Sequence, residues 1–118
     1  MGSFSDLQVW KVMHQLVLKV YENTKQYPVE EKYALVQQMR RAAVSVAANI
    51  AEGSKRRSPK DKTHFYNMAD TSLEELKYYF VLSCDLHYIA KENSSFLKAH
   101  AEEVGRMLTG LIKSLSNK

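Results

Sequence analysis

Arg40 to Arg57 reads RRAAVSVAANIAEGSKRR, and this stretch decides the fold. Between Ala42 and Gly53 it is mostly alanine and valine, and Glu52 is the one charge. Alanine is the best helix former, so the stretch is read as helical. Its side chains are small enough to let other helices approach closely. Arg40 and Arg41 flank this core on one side, and Lys55, Arg56 and Arg57 on the other. The core can pack among helices while its basic end meets a polyanion.

Working outward, the helix is expected over about 30–55, with Glu30 and Glu31 in its first turn, where negative charge suits the helix dipole. Leu35, Met39, Ala42, Val46, Asn49 and Gly53 form one heptad stripe. Val36, Ala43, Ala47 and Ile50 form a second beside it. A helix with two apolar faces needs more neighbours than a surface helix has.

Three further helices follow from spacing. The first is expected over about 6–25, capped by Ser5 with Gln8 completing a capping box. Its stripe is Trp10, Met13, Val17 and Val20, and Pro28 marks the break after it. The third is expected over 59–87. Ser58 caps it, Pro59 takes the first helical position and Asp61 the third. Its stripe is Phe65, Ala69, Ser72, Leu76, Tyr79, Ser83 and Leu86. The fourth is expected over 95–116, after a break at Asn93-Ser94-Ser95. Its stripe is Leu97, Ala101, Val104, Leu108, Leu111 and Leu115. Long helices with short connections predict an all-α, antiparallel up-down-up-down four-helix bundle forming a single domain over 1–118.

Composition agrees and excludes alternatives. The 118 residues contain four glycines and two prolines, with little strict alternation, which argues against a sheet protein. A single cysteine, Cys84, excludes an internal disulfide and suits a reducing compartment. No apolar run reaches the ~20 residues of a membrane-spanning helix, and the N-terminus lacks signal-peptide character. A cytoplasmic location is therefore expected. Residues 1–60 hold ten Lys/Arg against five Asp/Glu, and residues 61–118 seven against eight. The basic half invites a polyanionic partner.

The basic excess peaks at the corner between the second and third helices. Lys55, Arg56, Arg57, Lys60 and Lys62 put five cations within eight residues, opposed by Asp61 alone. Arginine forks and helix N-terminal amides match phosphate oxygens. Tyr66, one turn into the third helix, is a candidate stacking face. Arg40 and Arg41 either extend this surface or join subunits. Asn49, in an apolar run, needs a hydrogen-bond partner, with Ser72 or Glu75 as candidates. Glu52 pairs either with Arg56 or Lys55 on its own helix, or with Arg40 or Arg41 of another subunit. Trp10 is read as a packing anchor. Tyr78, Tyr79 and Phe80 are consecutive, point to different faces and cannot form one stacking platform.

Catalytic and metal patterns are missing from the sequence. His14, His64, His87 and His100 form no metal-helix pair, and no Glu-x-x-His motif of a di-iron bundle occurs. There is no phosphate-cradling glycine loop or nucleophile elbow. No cofactor or enzymatic activity is expected.

Several motifs in order carry a family resemblance. They are Phe4 to Lys11 (FSDLQVWK), Glu31 to Leu35 (EKYAL), Gln38 to Ser45 (QMRRAAVS), Asn49 to Gly53 (NIAEG) and Ser72 to Leu76 (SLEEL). Together they resemble the bacterial four-helix bundle proteins encoded within intervening sequences of 23S rRNA genes. The chain departs from that pattern at Ala47, where the family commonly has proline, and at Thr71 and His87, where it often has glycine. The resemblance implies a homopentamer. It also implies kinship to accessory proteins of diversity-generating retroelements, which bind nucleic acid and a reverse transcriptase. In a pentamer the basic corner would recur five times, and repetition converts weak contacts into avidity. Two functions are expected from these readings. The first is non-enzymatic binding of RNA or other nucleic acid through the corner. The alternative is a protein interaction scaffold that uses the spare apolar face of the second helix.

Overall fold

The computed structural model describes residues 3, 4 and 7–116 of the chain. Four helices account for most of them: α1 (Gln8–Thr24), α2 (Leu35–Lys55), α3 (Pro59–Asp85) and α4 (Lys91–Ser116). A 3-10 turn at Val29–Glu31 precedes α2. The helices pack as a square, α2 against α1 and α3, and α4 against α3 and α1. The bundle measures 47 × 23 × 20 Å. At two of the seams, residues that meet count up along one helix as they count down along the other. Ser45 bonds to Ser72 and Met39 to Ser83 between α2 and α3. Asn23 bonds to Asn93 and Val12 to His100 between α1 and α4. The expected up-down-up-down order is consistent with these pairs.

Both stripes of α2 are consumed inside one chain. Leu35, Met39, Ala42, Val46 and Gly53 of the first are buried, and so are Val36, Ala43 and Ile50 of the second. The neighbours this helix needs are α1 and α3. Val44 and Ala48 stay exposed on its outer side. The helix runs without interruption through Ala47.

Helix ends differ from the spacing in instructive ways. Pro28 leads into the 3-10 turn, so α2 begins at Leu35 rather than near Glu30. Glu31 still serves its N-terminus: Oε1 accepts the Leu35 N–H at 3.4 Å. The Ser5–Gln8 capping box and the expected start of α1 at Asp6 fall outside the described residues. Ser58 caps α3 as expected, its Oγ accepting the Asp61 N–H at 3.0 Å. Asn93-Ser94-Ser95 is not a break. It lies in the opening turns of α4, which starts at Lys91, ahead of the start expected at 95. Such residues favour caps when they lack tertiary partners. Here Asn93 bonds to Asn23, and buried Ser94 donates to the Phe80 carbonyl at 3.2 Å.

The buried register of α3 also differs. Tyr66, Ala69, Leu73, Leu76, Phe80 and Ser83 face inward. Phe65 and Tyr79 are half-buried at the flank, and Leu86 is 43% exposed. The apolar arc is wider than one heptad stripe, and the chosen rotation buries the larger residues Leu73 and Phe80. Tyr27 joins the same core with its hydroxyl beside Ser83 but outside hydrogen-bond geometry.

The turn after α3 is set by His87. Its φ of 64° is the one positive value for a non-glycine among the described residues. His87 N–H donates to the Cys84 carbonyl and Tyr88 N–H to the Ser83 carbonyl, both at 2.9 Å. This is the paired bonding of a Schellman ending, which glycine suits best.

Two substitutions test this packing by urea denaturation. A Cβ on Gly53 would sit 2.6 Å from the ring of buried Tyr66 and 3.2 Å from Phe65 Cβ. Gly53→Ala is expected to destabilise by about 1–2 kcal/mol, because overpacking outweighs the helix propensity gained. His87→Gly relieves the left-handed backbone and is expected to stabilise by about 1 kcal/mol.

Candidate nucleic-acid interface

The helix 2–3 corner is a tight connection. α2 ends at Lys55, Arg56 turns extended with its N–H on the Gly53 carbonyl, and Ser58 opens α3. The five cations gathered there divide by what holds them. Lys55, Arg57 and Lys60 are exposed, and their side chains have no hydrogen-bond or ion-pair partner among the described residues. Arg56 is engaged on two sides. Its Nη2 meets Glu52 Oε2 at 2.6 Å, and its guanidinium lies 4.5 Å from the centre of the Phe65 ring. The pair is solvent-exposed and contributes only a few tenths of a kcal/mol. Lys62 turns inward instead. Its Nζ donates to the Ser54 carbonyl at 2.9 Å and the Gly53 carbonyl at 3.4 Å, closing the end of α2. Glu52 and Asp61 line the open cleft of about 440 Å³ beside Lys55, Arg56 and Arg57. Three of the five cations are both exposed and unpartnered.

Tyr66 offers no stacking face. It is 2% exposed, pressed under Gly53, and burial pushes its phenol above the ordinary value. The flanking Phe65 is half-buried, and Arg56 lies over its ring.

Arg40 and Arg41 stand apart from the corner, roughly 21–23 Å along α2 from Lys55 at 1.5 Å per residue. Arg40 reaches across to α1. Its Nε donates to Thr24 Oγ1 at 3.0 Å, its Nη2 to the Tyr21 carbonyl at 3.4 Å, and it lies 4.6 Å over the Tyr21 ring. A cation on the Tyr21 carbonyl, in the last turn of α1, complements the C-terminal dipole of that helix. Arg41 is exposed. With Lys32, Tyr21 and Tyr33, both arginines line an open groove of about 670 Å³ between α1 and α2. The sequence pattern does not reveal Lys32, Tyr21 and Tyr33 as a group. Lys32 and Tyr33 are neighbours in the connection before α2 and Tyr21 lies on α1, and packing brings them beside the arginines.

Asn49 finds its partner on its own helix. Its Nδ2 donates to the Ser45 carbonyl at 2.9 Å and to Ser45 Oγ at 3.2 Å, and Ser45 Oγ meets Ser72 Oγ at 2.9 Å. Ser72 is thus reached through Ser45. Trp10 is half-buried against the core, stacked on His14 at 4.9 Å and edge-on to Phe4 at 5.0 Å.

No group of three or more potential metal ligands comes together among the described residues. The resolved pKa shifts are all upward and all on tyrosines. Burial raises Tyr27 and Tyr66. Burial and then the Glu75 charge raise Tyr79, and the 2.8 Å hydrogen bond to Glu31 raises Tyr88. These shifts keep the phenols neutral, the reverse of what activates a nucleophile. No described helix is long and apolar enough to cross a membrane.

A bundle of four long helices with a cationic corner is the class of protein the geometry defines. The sequence profile of the family described as 23S rRNA-intervening sequence protein matches residues 5–110, and the chain belongs to that family. Its fold is similar to the crystal structure of a protein with unknown function from the S23 ribosomal protein family of Bacteroides thetaiotaomicron VPI-5482. The TM-score is 0.82 at 24% identity, over 89% of this chain and 95% of the other. No curated protein matches the chain. Neither the family description nor the neighbour's indicates an enzyme.

The division of the corner cations is testable by stability. Lys62→Met keeps an apolar stem and loses the bonds to α2, and is expected to cost about 0.5–1.5 kcal/mol in urea denaturation. Lys60→Met, at an exposed and unpartnered site, is expected to change stability by no more than about 0.5 kcal/mol.

Proposed function

We propose that the protein is a non-enzymatic nucleic-acid-binding bundle whose corner neutralises RNA phosphates. The observation that supports this is the exposed, unpartnered trio Lys55, Arg57 and Lys60, set around the capped start of α3. Arg56 backs the trio while sharing its charge with Glu52. Such a surface reads backbone charge with little sequence preference. Homo-oligomerisation, as a pentamer, belongs to this reading. Copies of a weak three-cation patch on one ring would bind a structured RNA far more tightly than one patch alone.

A second reading is favoured by α2, whose outer face leaves Val44 and Ala48 exposed. There the bundle acts as a protein scaffold. A bound partner that survives nuclease treatment favours this reading, and one that disappears favours RNA.

The test is a salt titration of binding to a structured RNA hairpin, using wild type and the triple variant Lys55→Ala, Arg57→Ala, Lys60→Ala. The wild type is expected to lose affinity steeply with salt. The variant is expected to bind at least about tenfold more weakly at low salt, with a log–log slope shallower by about 2–3, one for each phosphate no longer neutralised. Equal affinities or equal slopes would remove the corner from the account.

A further inference from the structure

The groove between α1 and α2 has a different chemistry from the corner. It combines three cations with two tyrosines, and no carboxylate lines it. The nearest acids in sequence are turned to other work or stand outside. Glu31 gives Oε2 to the Tyr88 hydroxyl and Oε1 to the Leu35 N–H. Glu22 pairs with Lys25, and Glu30 is exposed on the turn. Lys32, Arg40 and Arg41 form no ion pair among the described residues.

Arg40 is held ready. Two of its donors are spent on Thr24 and Tyr21, and its face rests on the Tyr21 ring. A guanidinium carries five N–H donors, so three remain for an anion in a fixed direction. Tyr33 supplies the complementary element. It is 80% exposed, and its one ring contact among the described residues is Lys32 Nζ at 5.4 Å. An exposed aromatic face beside fixed cations suits a planar base that carries a phosphate. The volume of about 670 Å³ is in the range of small-molecule sites.

We propose that this groove binds a nucleoside phosphate, with the base stacked on Tyr33 and the phosphate held by Arg40 and Arg41. The site stands independently of the corner, because the two lie more than a dozen residues apart on α2. The same chemistry is presented by a free nucleotide and by an unpaired nucleotide of an RNA strand.

Calorimetric titration with AMP, with a five-nucleotide oligoadenylate and with inorganic phosphate separates these sources. Saturable AMP binding that phosphate does not match identifies the free nucleotide. Oligoadenylate binding without AMP binding identifies the strand. In either case Tyr33→Ala and Arg41→Ala are each expected to weaken binding by about 5- to 100-fold, the range for removing one stacked base or one charged hydrogen bond. Both residues are exposed, and circular dichroism is the check that the variants stay folded. The corner triple variant is expected to keep AMP binding at the groove, and any loss of oligoadenylate affinity it shows belongs to the corner. The proposal is overturned if neither probe binds, if both groove variants bind as wild type, or if only the corner variant loses binding. It is also overturned if Arg41→Ala alters the oligomeric state by light scattering and leaves probe binding unchanged, since the groove is then a contact between copies. A failed groove with an active corner, or the reverse, tells the two proposals apart.

Discussion

Close packing around α2 is the constraint on which the bundle rests. Its middle is built from Ala42, Ala43, Val46 and Ile50, all buried, and its end from Gly53 lying against the Tyr66 ring. Small side chains shorten the distance to α3 and let Tyr66, Leu73 and Phe80 fill the space from the other side. Interiors at this density tolerate little added volume. The same closeness brings Lys62 to the last carbonyls of α2.

Much of the fold is legible in the sequence wherever a local signal has no competitor. Ser58-Pro59-Asp61 announces the start of α3 because the cap needs nothing from the rest of the chain. The paired stripes of α2 announce two-sided burial, and α1 and α3 supply it within one chain. What spacing misses depends on tertiary partners. Asn93-Ser94-Ser95 looks like a break until Asn23 takes up Asn93 and the Phe80 carbonyl takes up Ser94. The rotation of α3 is invisible from periodicity alone, since Phe65 and Tyr66 both begin plausible stripes.

The basic residues show the same limit in electrostatic form. A count of cations in sequence treats each as available, but some of them terminate helices. Arg40 satisfies carbonyl and hydroxyl groups at the end of α1, and Lys62 does so at the end of α2. Each meets the negative end of a helix dipole, a local need that is met before any ligand arrives. The free charge then sorts into two places, one at the corner and one beside Tyr33. That separation emerges only once α1 and α2 are laid together.

The Asn49–Ser45–Ser72 chain has a consequence for how α2 and α3 mesh. Alanine and valine surfaces are nearly interchangeable from one turn to the next, so grease alone would tolerate a slipped alignment. Sliding the pair by a single turn would break the Ser45–Ser72 hydrogen bond, the one link of this chain that crosses the seam, at roughly 1–3 kcal/mol for a hydroxyl left against hydrocarbon. The two serines thereby act as a vernier, with Asn49 holding Ser45 in place, selecting one mesh from several of similar apolar quality.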